Sequence, residues 1–277
     1  MDRLARRRAK DYAVKAISTG FALLSLFMLA WILYTLIERG LPALGSNVFT
    51  HAMLPPGEGG GLLNAIVGSL IQIGVALLIG TPIGIMAGTY LAEAGRGGKL
   101  AGTIRFVNDI LLSAPSILIG LFVYQMIVVS TGGFSGWAGS VALAIIILPV
   151  VVRTTEDMLA LVPVSLREAA FALGAPQWKV ITFVTWRAAQ AGIVTGILLA
   201  LARAAGETAP LLFTSLGNND WSTDLSRPMA SLPVAIYQYA GSPFDDWVAL
   251  AWAGALLITV GVLALNIVTR VVLAPRK

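Results

Sequence analysis

Long, continuous apolar runs separated by short polar segments organise this chain. Six runs cover residues 12–37, 62–91, 104–130, 139–152, 188–214 and 247–272, and all but the fourth exceed the roughly 20 residues that a transmembrane helix needs. Their apolar residues are consecutive rather than alternating, which indicates helices and not the strands of a barrel. The fourth run is short, and we expect its helix to continue past Arg153 towards Met158. The pattern predicts an all-α integral membrane protein with six transmembrane helices.

The composition agrees with this prediction and narrows the possible chemistry. Only 12% of the residues are charged, against about 25% in an ordinary soluble domain, and the mean hydropathy is +0.83. Because the chain has no cysteine, it has no disulfide, thiolate nucleophile or Cys-based metal site. The single histidine, His51, excludes a His-rich metal cluster, and no signature of a Ser-His-Asp triad surrounds it.

The lysines and arginines predict the orientation. If the N-terminus is cytoplasmic, sixteen of the 19 lie on the cytoplasmic side, Arg39 and Arg227 lie on the other side, and Arg203 lies within a run. The sixteen are Arg3, Arg6, Arg7, Arg8, Lys10, Lys15, Arg96, Lys99, Arg105, Arg153, Arg167, Lys179, Arg187, Arg270, Arg276 and Lys277. This asymmetry predicts that both termini are cytoplasmic, and it explains the net charge of +5 without a nucleic-acid partner. The first run is too long for a signal peptide and lacks an A-x-A cleavage site, so we expect a retained helix.

Glycines and prolines interrupt the second and third runs. Three glycines four residues apart in the second run predict the close approach of another helix: Gly80, Gly84 and Gly88. We expect Pro82 to kink that helix. In the third run Pro115 frees a backbone carbonyl, and Ser113 and Ser116 either satisfy the backbone locally or line a polar path. The segments 42–61, 131–138 and 215–246 are rich in breakers and are predicted to be polar loops on the outer side.

Arg203 and Glu207 are the only Lys, Arg, Asp or Glu residues between positions 188 and 214. A charge at bilayer depth costs at least a few kcal/mol, so such residues usually face a bundle interior or a water-filled path. Four residues apart on one helix, the two side chains point almost the same way and neutralise each other in part. We expect Arg203 near the middle of its helix, about 15 residues or roughly 22 Å from the inner end. The pair is either part of a functional site or an ion pair that joins this helix to its neighbours.

A short helix is predicted within the cytoplasmic loop of residues 153–187. After Pro163, the run Ser165-Leu-Arg-Glu168 fits a capping box, in which Ser165 caps the helix and Glu168 reaches back. Gly174 suits the left-handed residue just past the helix end, and Pro176 prevents continuation. An isolated helix of about two turns is marginal in water, so we expect the membrane domain or a partner to hold it.

No nucleotide site is expected in this chain. The glycine cluster of residues 57–61 lacks the strand and helix that flank a phosphate-binding loop, so we interpret it as a turn. The segment 95–99, which ends at Lys99, lacks the following Ser or Thr of a Walker A loop.

At the short cytoplasmic helix the chain resembles a known family. Glu168-Ala169-Ala170, with Gly174 four residues after Ala170, is similar to the EAA loop of type I ABC-importer permeases, which forms a coupling helix that docks into a cytoplasmic ATPase. The family pattern continues with an Ile-x-Leu-Pro-like sequence. Here residues 184–187 read Val-Thr-Trp-Arg, so the proline is absent and Arg187 stands at the end of the motif.

Within that family the chain is similar to the PstA-type phosphate permeases of the Pst system. Ordered matches run from the second to the fifth helix: Thr81-Pro-Ile-Gly84, Tyr90-Leu-Ala-Glu93, Ala114-Pro-Ser-Ile117, Gly120-Leu-Phe122, Arg153-Thr-Thr-Glu156 and the segment 203–214. The resemblance implies one permease domain over residues 1–277, with the N-terminal tail and first helix at 1–37, the core helices at 62–272 and the EAA coupling loop at 153–187.

The resemblance also implies a function and an assembly. The chain would be the phosphate-conducting subunit of an ATP-driven importer in the inner (plasma) membrane of a prokaryote. It would pair with a PstC-type permease as a heterodimer, above two PstB-type ATPases that use ATP and Mg, and receive phosphate from a PstS-type binding protein. Arg203, Glu207 and Arg153 would line the substrate path, where guanidinium binds phosphate oxygens in a bidentate manner. Glu168, Ala169, Ala170 and Gly174 would couple to the ATPase, and the chain itself would hold no cofactor.

Other classes of protein fit the sequence less well. A secondary transporter would carry its own coupling-ion site and usually internal repeats, and neither is visible. A channel would need a filter, and an enzyme a nucleophile or metal cluster. Within ABC importers, a permease for sulfate, molybdate or phosphonate stays open, because arginine does not by itself discriminate among tetrahedral oxyanions. Whether Arg203 contacts phosphate or gates the path while paired with Glu207 also stays open.

Overall fold

The computed structural model describes residues 3–95 and 98–273 and is helical throughout its regular elements. The helices are α1 Arg3–Ala43, α2 Ser46–Thr50, α3 Leu63–Glu93, α4 Lys99–Ser113, α5 Ser116–Val123, α6 Val129–Thr131, α7 Gly136–Ala160, α8 Val164–Ala172, α9 Gln177–Lys179, α10 Trp186–Ala205, α11 Ala209–Thr214, α12 Leu232–Ala240 and α13 Asp245–Leu273. Two π-helical turns, Tyr124–Val128 and Val180–Thr185, join α5 to α6 and α9 to α10. Arg96, Arg276 and Lys277, which entered the orientation count, lie outside the described residues.

Five helices in the described residues are long and apolar enough to cross a membrane, and the number is six if one sharply bent pair of helices counts as a single span. The five are Lys10–Ala43, Leu63–Glu93, Gly136–Ala160, Gln177–Ala205 and Asp245–Ile267. The expected extension of the fourth span to Met158 is confirmed, since α7 ends at Ala160. The fifth span begins at Gln177 rather than near residue 188, because helix continues through the π turn that precedes Trp186.

The third predicted span is broken. Helices α4 and α5 meet at an angle of 106°, so the expectation of a single helix over residues 104–130 was wrong. Pro115 disfavours the helical conformation for the residue before it, and Ala114 is accordingly extended at ψ 134°. The Ser113 hydroxyl donates to the Ile110 carbonyl at 3.0 Å, which already accepts the Ala114 N–H, so this bond decides neither interpretation of the two serines.

Helix α3 packs against α7 with almost no side-chain layer between the two backbones. A methyl group built on Gly80 would lie 3.0 Å from the Ala144 carbonyl oxygen, and one on Gly88 would lie 2.6 Å from that of Val152. Gly84 faces Val151 in the same way. The predicted close approach at these glycines is therefore confirmed. The helix runs through Pro82 without interruption, and this pair of helices forms the centre of the bundle.

The segment between α11 and α13 is more buried than its breakers suggested. The stretch 229–231 is buried beside Gly68 of α3, and its Ala230 carbonyl accepts a 3.2 Å hydrogen bond from the Gln72 side chain. Helix α12 follows, and Tyr239 stacks on Trp247 with ring centroids 4.5 Å apart. The prediction of a polar loop over residues 215–246 was therefore wrong for its second half, because a polar side chain within α3 satisfies the backbone of the entering segment.

Candidate substrate path and coupling surface

The Arg203–Glu207 pair lies at a break in the fifth span. Helix α10 ends at Ala205 with Gly206 as its C-cap, and α11 begins at Ala209. Arg203 therefore sits in the last turn of α10, so its expected place near the middle of a continuous helix was wrong. Gly206 and Pro210 explain the interruption, because glycine is a poor helix former and proline provides no N–H for a helical hydrogen bond. Glu207 lies in the connection between the two helices rather than one turn further along the same helix.

The pairing nevertheless forms across this break. Arg203 Nε lies 3.7 Å from Glu207 Oε1, with 38% and 15% of the two side chains exposed. This distance is too long for a hydrogen bond, and within residues 3–95 and 98–273 the Arg203 guanidinium donates none. The Glu207 carboxylate therefore compensates the charge of Arg203, while the planar N–H donors of the guanidinium stay unused. Such a guanidinium is free to bind an oxyanion with two hydrogen bonds.

The segments that follow the two breaks contact each other. A methyl group built on Gly120 of α5 would lie 2.6 Å from Pro210 Cα of α11, so the two backbones touch at that point. The two interrupted spans therefore pack against each other directly after their breaks. This contact places the Arg203–Glu207 connection beside a second irregular segment, where backbone polar groups are tolerated because they line a cavity or are buried in protein.

Arg153 is exposed on α7 and pairs with Asp157. The Nε–Oδ2 distance is 3.2 Å, and half of each side chain is exposed. Within the described residues no ion pair or hydrogen bond joins Arg153 to Arg203 or Glu207. The neighbouring Thr154 faces Gly196 of α10.

A groove of about 350 Å³ runs between α7 and α10 beside Arg153. Its lining consists of small and medium-sized residues: Thr154, Met158, Ala191, Gly192, Thr195, Gly196 and Leu199. Gly192, Gly196 and Leu199 share a helical face with Arg203, at spacings of four, three and four residues. The hydroxyls of Thr154 and Thr195 donate to carbonyls of their own helices. The groove therefore runs along the face of α10 that leads to Arg203.

Helix α8 is the predicted short cytoplasmic helix, but its N-terminus differs from the prediction. Pro163 is the N-cap, Ser165 lies inside the first turn, and no side chain caps the helix. The capping-box assignment of Ser165 and Glu168 was therefore wrong. The Leu166 N–H already bonds to the Pro163 carbonyl at 3.2 Å, so the first turn begins two residues before the position that the capping box requires.

The C-terminus of α8 agrees with the prediction. Gly174 has a φ of +79°, its N–H bonds to the Phe171 carbonyl at 2.9 Å, and the Ala175 N–H bonds to the Ala170 carbonyl at 3.3 Å. These two bonds define a Schellman motif. Glu168 and Ala169 are exposed, as are Leu161, Val164, Phe171 and Leu173. The helix thus presents a partly apolar surface.

Arg167 holds α8 on the membrane domain, and sequence reasoning did not single it out. Its Nη2 lies 2.8 Å from Glu93 Oε1 at the end of α3, and about 10% of each side chain is exposed. Arg167 appeared in the sequence only as one of many cytoplasmic positive charges, and Glu93 only as the end of a matched motif. No local pattern joins two residues that are 74 positions apart.

The chain is similar to known transport proteins over almost its whole length. The sequence family described as "Binding-protein-dependent transport system inner membrane component" matches residues 80–276. The "Phosphate transport system permease protein PstA" of Pasteurella multocida is 58% identical over 265 residues, which cover 96% of this chain and 95% of that protein. PstA 1 of Mycobacterium tuberculosis is 38% identical over 269 residues, covering 95% and 88%.

A solved structure shares the fold. In the inward-facing MetNI methionine ABC transporter, a chain that is 18% identical superposes with a TM-score of 0.60, covering 77% of this chain and 93% of that chain. The α-helical bundle with a short helix between its fourth and fifth spans is thus the fold of type I importer permeases. In residues 3–95 and 98–273, no group of three or more His, Asp or Glu residues could hold a metal ion.

Proposed function

Because this chain belongs to the inner membrane components of binding-protein-dependent transport systems and, among them, to the PstA phosphate permeases, we propose that it is the phosphate-conducting permease subunit of an ATP-driven importer. The observation that carries this proposal is the high, nearly full-length identity to phosphate permeases. The unused guanidinium of Arg203 at a break in a membrane span supplies matching chemistry, since a planar cation recognises phosphate oxygens.

In this proposal Arg203 binds phosphate in transit, and Glu207 holds the guanidinium while the site is empty. The 3.7 Å separation supports such an exchange, because no hydrogen bond has to break before phosphate binds. Arg153, with its partner Asp157, would receive or release phosphate at the inner end of α7. The groove between α7 and α10 would serve as the route between the two arginines, since Thr154 and Leu199, which lie next to Arg153 and one turn before Arg203, both line it.

The proposal assigns the ATPase contact to α8. The surface that would contact the ATPase includes Glu168, Ala169 and Ala170. Because Gly174 ends the helix, a groove on a cytoplasmic ATPase would receive a short helix with a defined end. ATP and Mg would act on that ATPase and not on this chain. The proposed assembly contains a homologous PstC-type permease, two PstB-type ATPases and a PstS-type binding protein. The whole would lie in a prokaryotic inner membrane with both termini of this chain in the cytoplasm.

Transport assays on the reconstituted complex test the function. Vesicles that contain the complex, internal ATP and external binding protein should take up radiolabelled phosphate, and equimolar sulfate should not compete. Uptake of sulfate, molybdate or phosphonate in preference to phosphate would favour a permease for another oxyanion. Co-purification of this chain with a Walker A-containing ATPase would support an ATP-driven importer, whether for phosphate or for another oxyanion. A secondary transporter needs no ATPase and would transport in its absence.

A further inference from the structure

Two arginines cross-link the inner ends of α3 and α7 in a reciprocal manner. Arg105 of α4 pairs with Glu156 of α7 at 2.8 Å and donates to the Leu91 carbonyl of α3 at 3.2 Å. Arg167 of α8 makes the reverse arrangement, with a carboxylate from α3, one backbone carbonyl from the last turn of α7 and one from the residues just after it. Each arginine thus bonds to both central helices. We call these four side chains, Arg105, Glu156, Arg167 and Glu93, the inner clamp.

Arg167 is the more completely engaged member of the inner clamp. Its Nε and Nη2 both donate to Glu93 Oε1, at 3.1 and 2.8 Å. Its Nη1 donates to the Val162 carbonyl at 2.6 Å, and its Nη2 also donates to the Leu159 carbonyl at 2.7 Å. Arg167 as a whole is only 8% exposed. A guanidinium with this many partners in a buried site fixes the orientation of the helix that carries it.

Helix α8 also contacts the π turn Val180–Thr185 near the start of the fifth span. A cavity of about 220 Å³ lies between α8 and the start of the fifth span and reaches the inner clamp, since Glu93 and Arg167 line it together with Phe171, Gln177 and Ile181. The contact with α3 and α7 is ionic and buried, and those two helices are themselves joined through Gly80, Gly84 and Gly88. Packed backbones of this kind move as a unit rather than deform.

We propose that α8 passes force from its partner to the α3–α7 pair through Arg167, in addition to its contact with the π turn of the fifth span. This inference rests on the proposed function and deepens it. Arg167 is then a positioning residue: it touches neither phosphate nor ATP, and it makes α8, α3 and α7 one rigid body. Movement of α8 would displace this body past the broken spans that carry Arg203 and Glu207, and so open or close the path beside them.

The ratio of phosphate transported to ATP hydrolysed tests the proposal in the reconstituted complex. Arg167→Met and Glu93→Gln should each lower this ratio at least tenfold while ATP hydrolysis persists. The double variant should be no worse than either single variant, because both remove the same link. Arg167→Lys keeps a charge but cannot reach the carboxylate and both carbonyls together, so it should assemble and give an intermediate ratio. Arg187→Met, which changes a nearby arginine that has no ion pair in the described residues, is the matched control.

A cross-link distinguishes a rigid joint from a sliding contact. Because the natural chain has no cysteine, Glu93→Cys with Arg167→Cys can be bridged by a short bifunctional thiol reagent without background labelling of this subunit. Bridging should restore the transport ratio towards that of the wild type. A wild-type ratio in Arg167→Met or Arg167→Lys, or a further loss on bridging, would overturn the inference. Failure of the wild-type complex to transport phosphate would instead overturn the proposed function.

Discussion

Replacing Arg203 with lysine tests whether phosphate uptake requires the guanidinium group or only a positive charge at this position. The variant keeps the positive charge near Glu207 but loses the planar pair of donors that a bidentate contact needs. A hydrogen bond to a charged group contributes about 1.5–3 kcal/mol. Loss of one such bond during transport therefore corresponds to a decrease of about 10- to 150-fold in uptake, at roughly 1.4 kcal/mol for each factor of ten.

The same substitution should have little effect on folding. The Arg203 guanidinium donates no hydrogen bond within the described residues, and its 3.7 Å pair with Glu207 is partly exposed. A solvent-screened ion pair of this kind contributes about 0–1 kcal/mol. The thermal midpoint of the purified complex should therefore stay close to that of the wild type, so that a transport defect cannot be ascribed to unfolding.

The assay is the initial rate of ATP-dependent uptake of radiolabelled phosphate into vesicles at saturating binding protein. Arg227→Lys makes the same chemical change at an exposed outer arginine whose nearest carboxylate, that of Asp224, lies 3.5 Å away, and it should transport normally. If assembled Arg203→Lys takes up phosphate within twofold of the wild-type rate, Arg203 does not bind phosphate through a bidentate contact. The role left to it would be that of a gate.

Three further predictions concern coupling and stability. Ala169→Asp places a charge on the exposed face of α8 and should abolish phosphate-coupled ATP hydrolysis without lowering membrane insertion; normal transport by an assembled variant would remove the coupling assignment. Gly88→Ala forces a methyl group to within 2.6 Å of the Val152 carbonyl and should cost about 1–3 kcal/mol of stability, seen as a lower thermal midpoint, whereas Gly20→Ala on α1 has open space and should not. Burial, with a smaller contribution from the nearby Asp246 charge, raises the pKa of Tyr239 from 10.0 to about 12. The unfolded chain therefore ionises first, and stability that is fully present below pH 10 is lost between about pH 10 and 12; Tyr239→Phe should remove this part of the pH dependence, and an unchanged melting profile in that range would contradict it.

Local patterns in the sequence predicted much of the fold. Consecutive apolar residues indicated the spans, the four-residue spacing of glycines indicated the α3–α7 contact, and Gly174 followed by Pro176 indicated where α8 ends. Each of these features depends on backbone geometry within a few residues. They could therefore be inferred without knowledge of the tertiary structure.

Features that depend on distant partners were missed. Ser165 and Glu168 satisfied a capping pattern, yet Pro163 had already started the helix. The break at Gly206 is different, because Gly206 and Pro210 favour a bend or local unwinding there from the local sequence alone, and α10 does end at Ala205. The pairing of Arg167 with Glu93 left no trace in the local sequence, because each residue has an ordinary explanation at its own position. A buried charge of this kind is recognisable only when its partner is known.

The inner clamp also constrains the order in which the chain assembles in a membrane. Glu93 is synthesised 74 residues before Arg167, which at about 5–20 residues per second corresponds to a delay of about 4–15 s. During that interval the second span has already left the ribosome with an acidic residue at its inner end that lacks its final partner. Closure of the clamp thus reports that the chain has been made at least as far as α8.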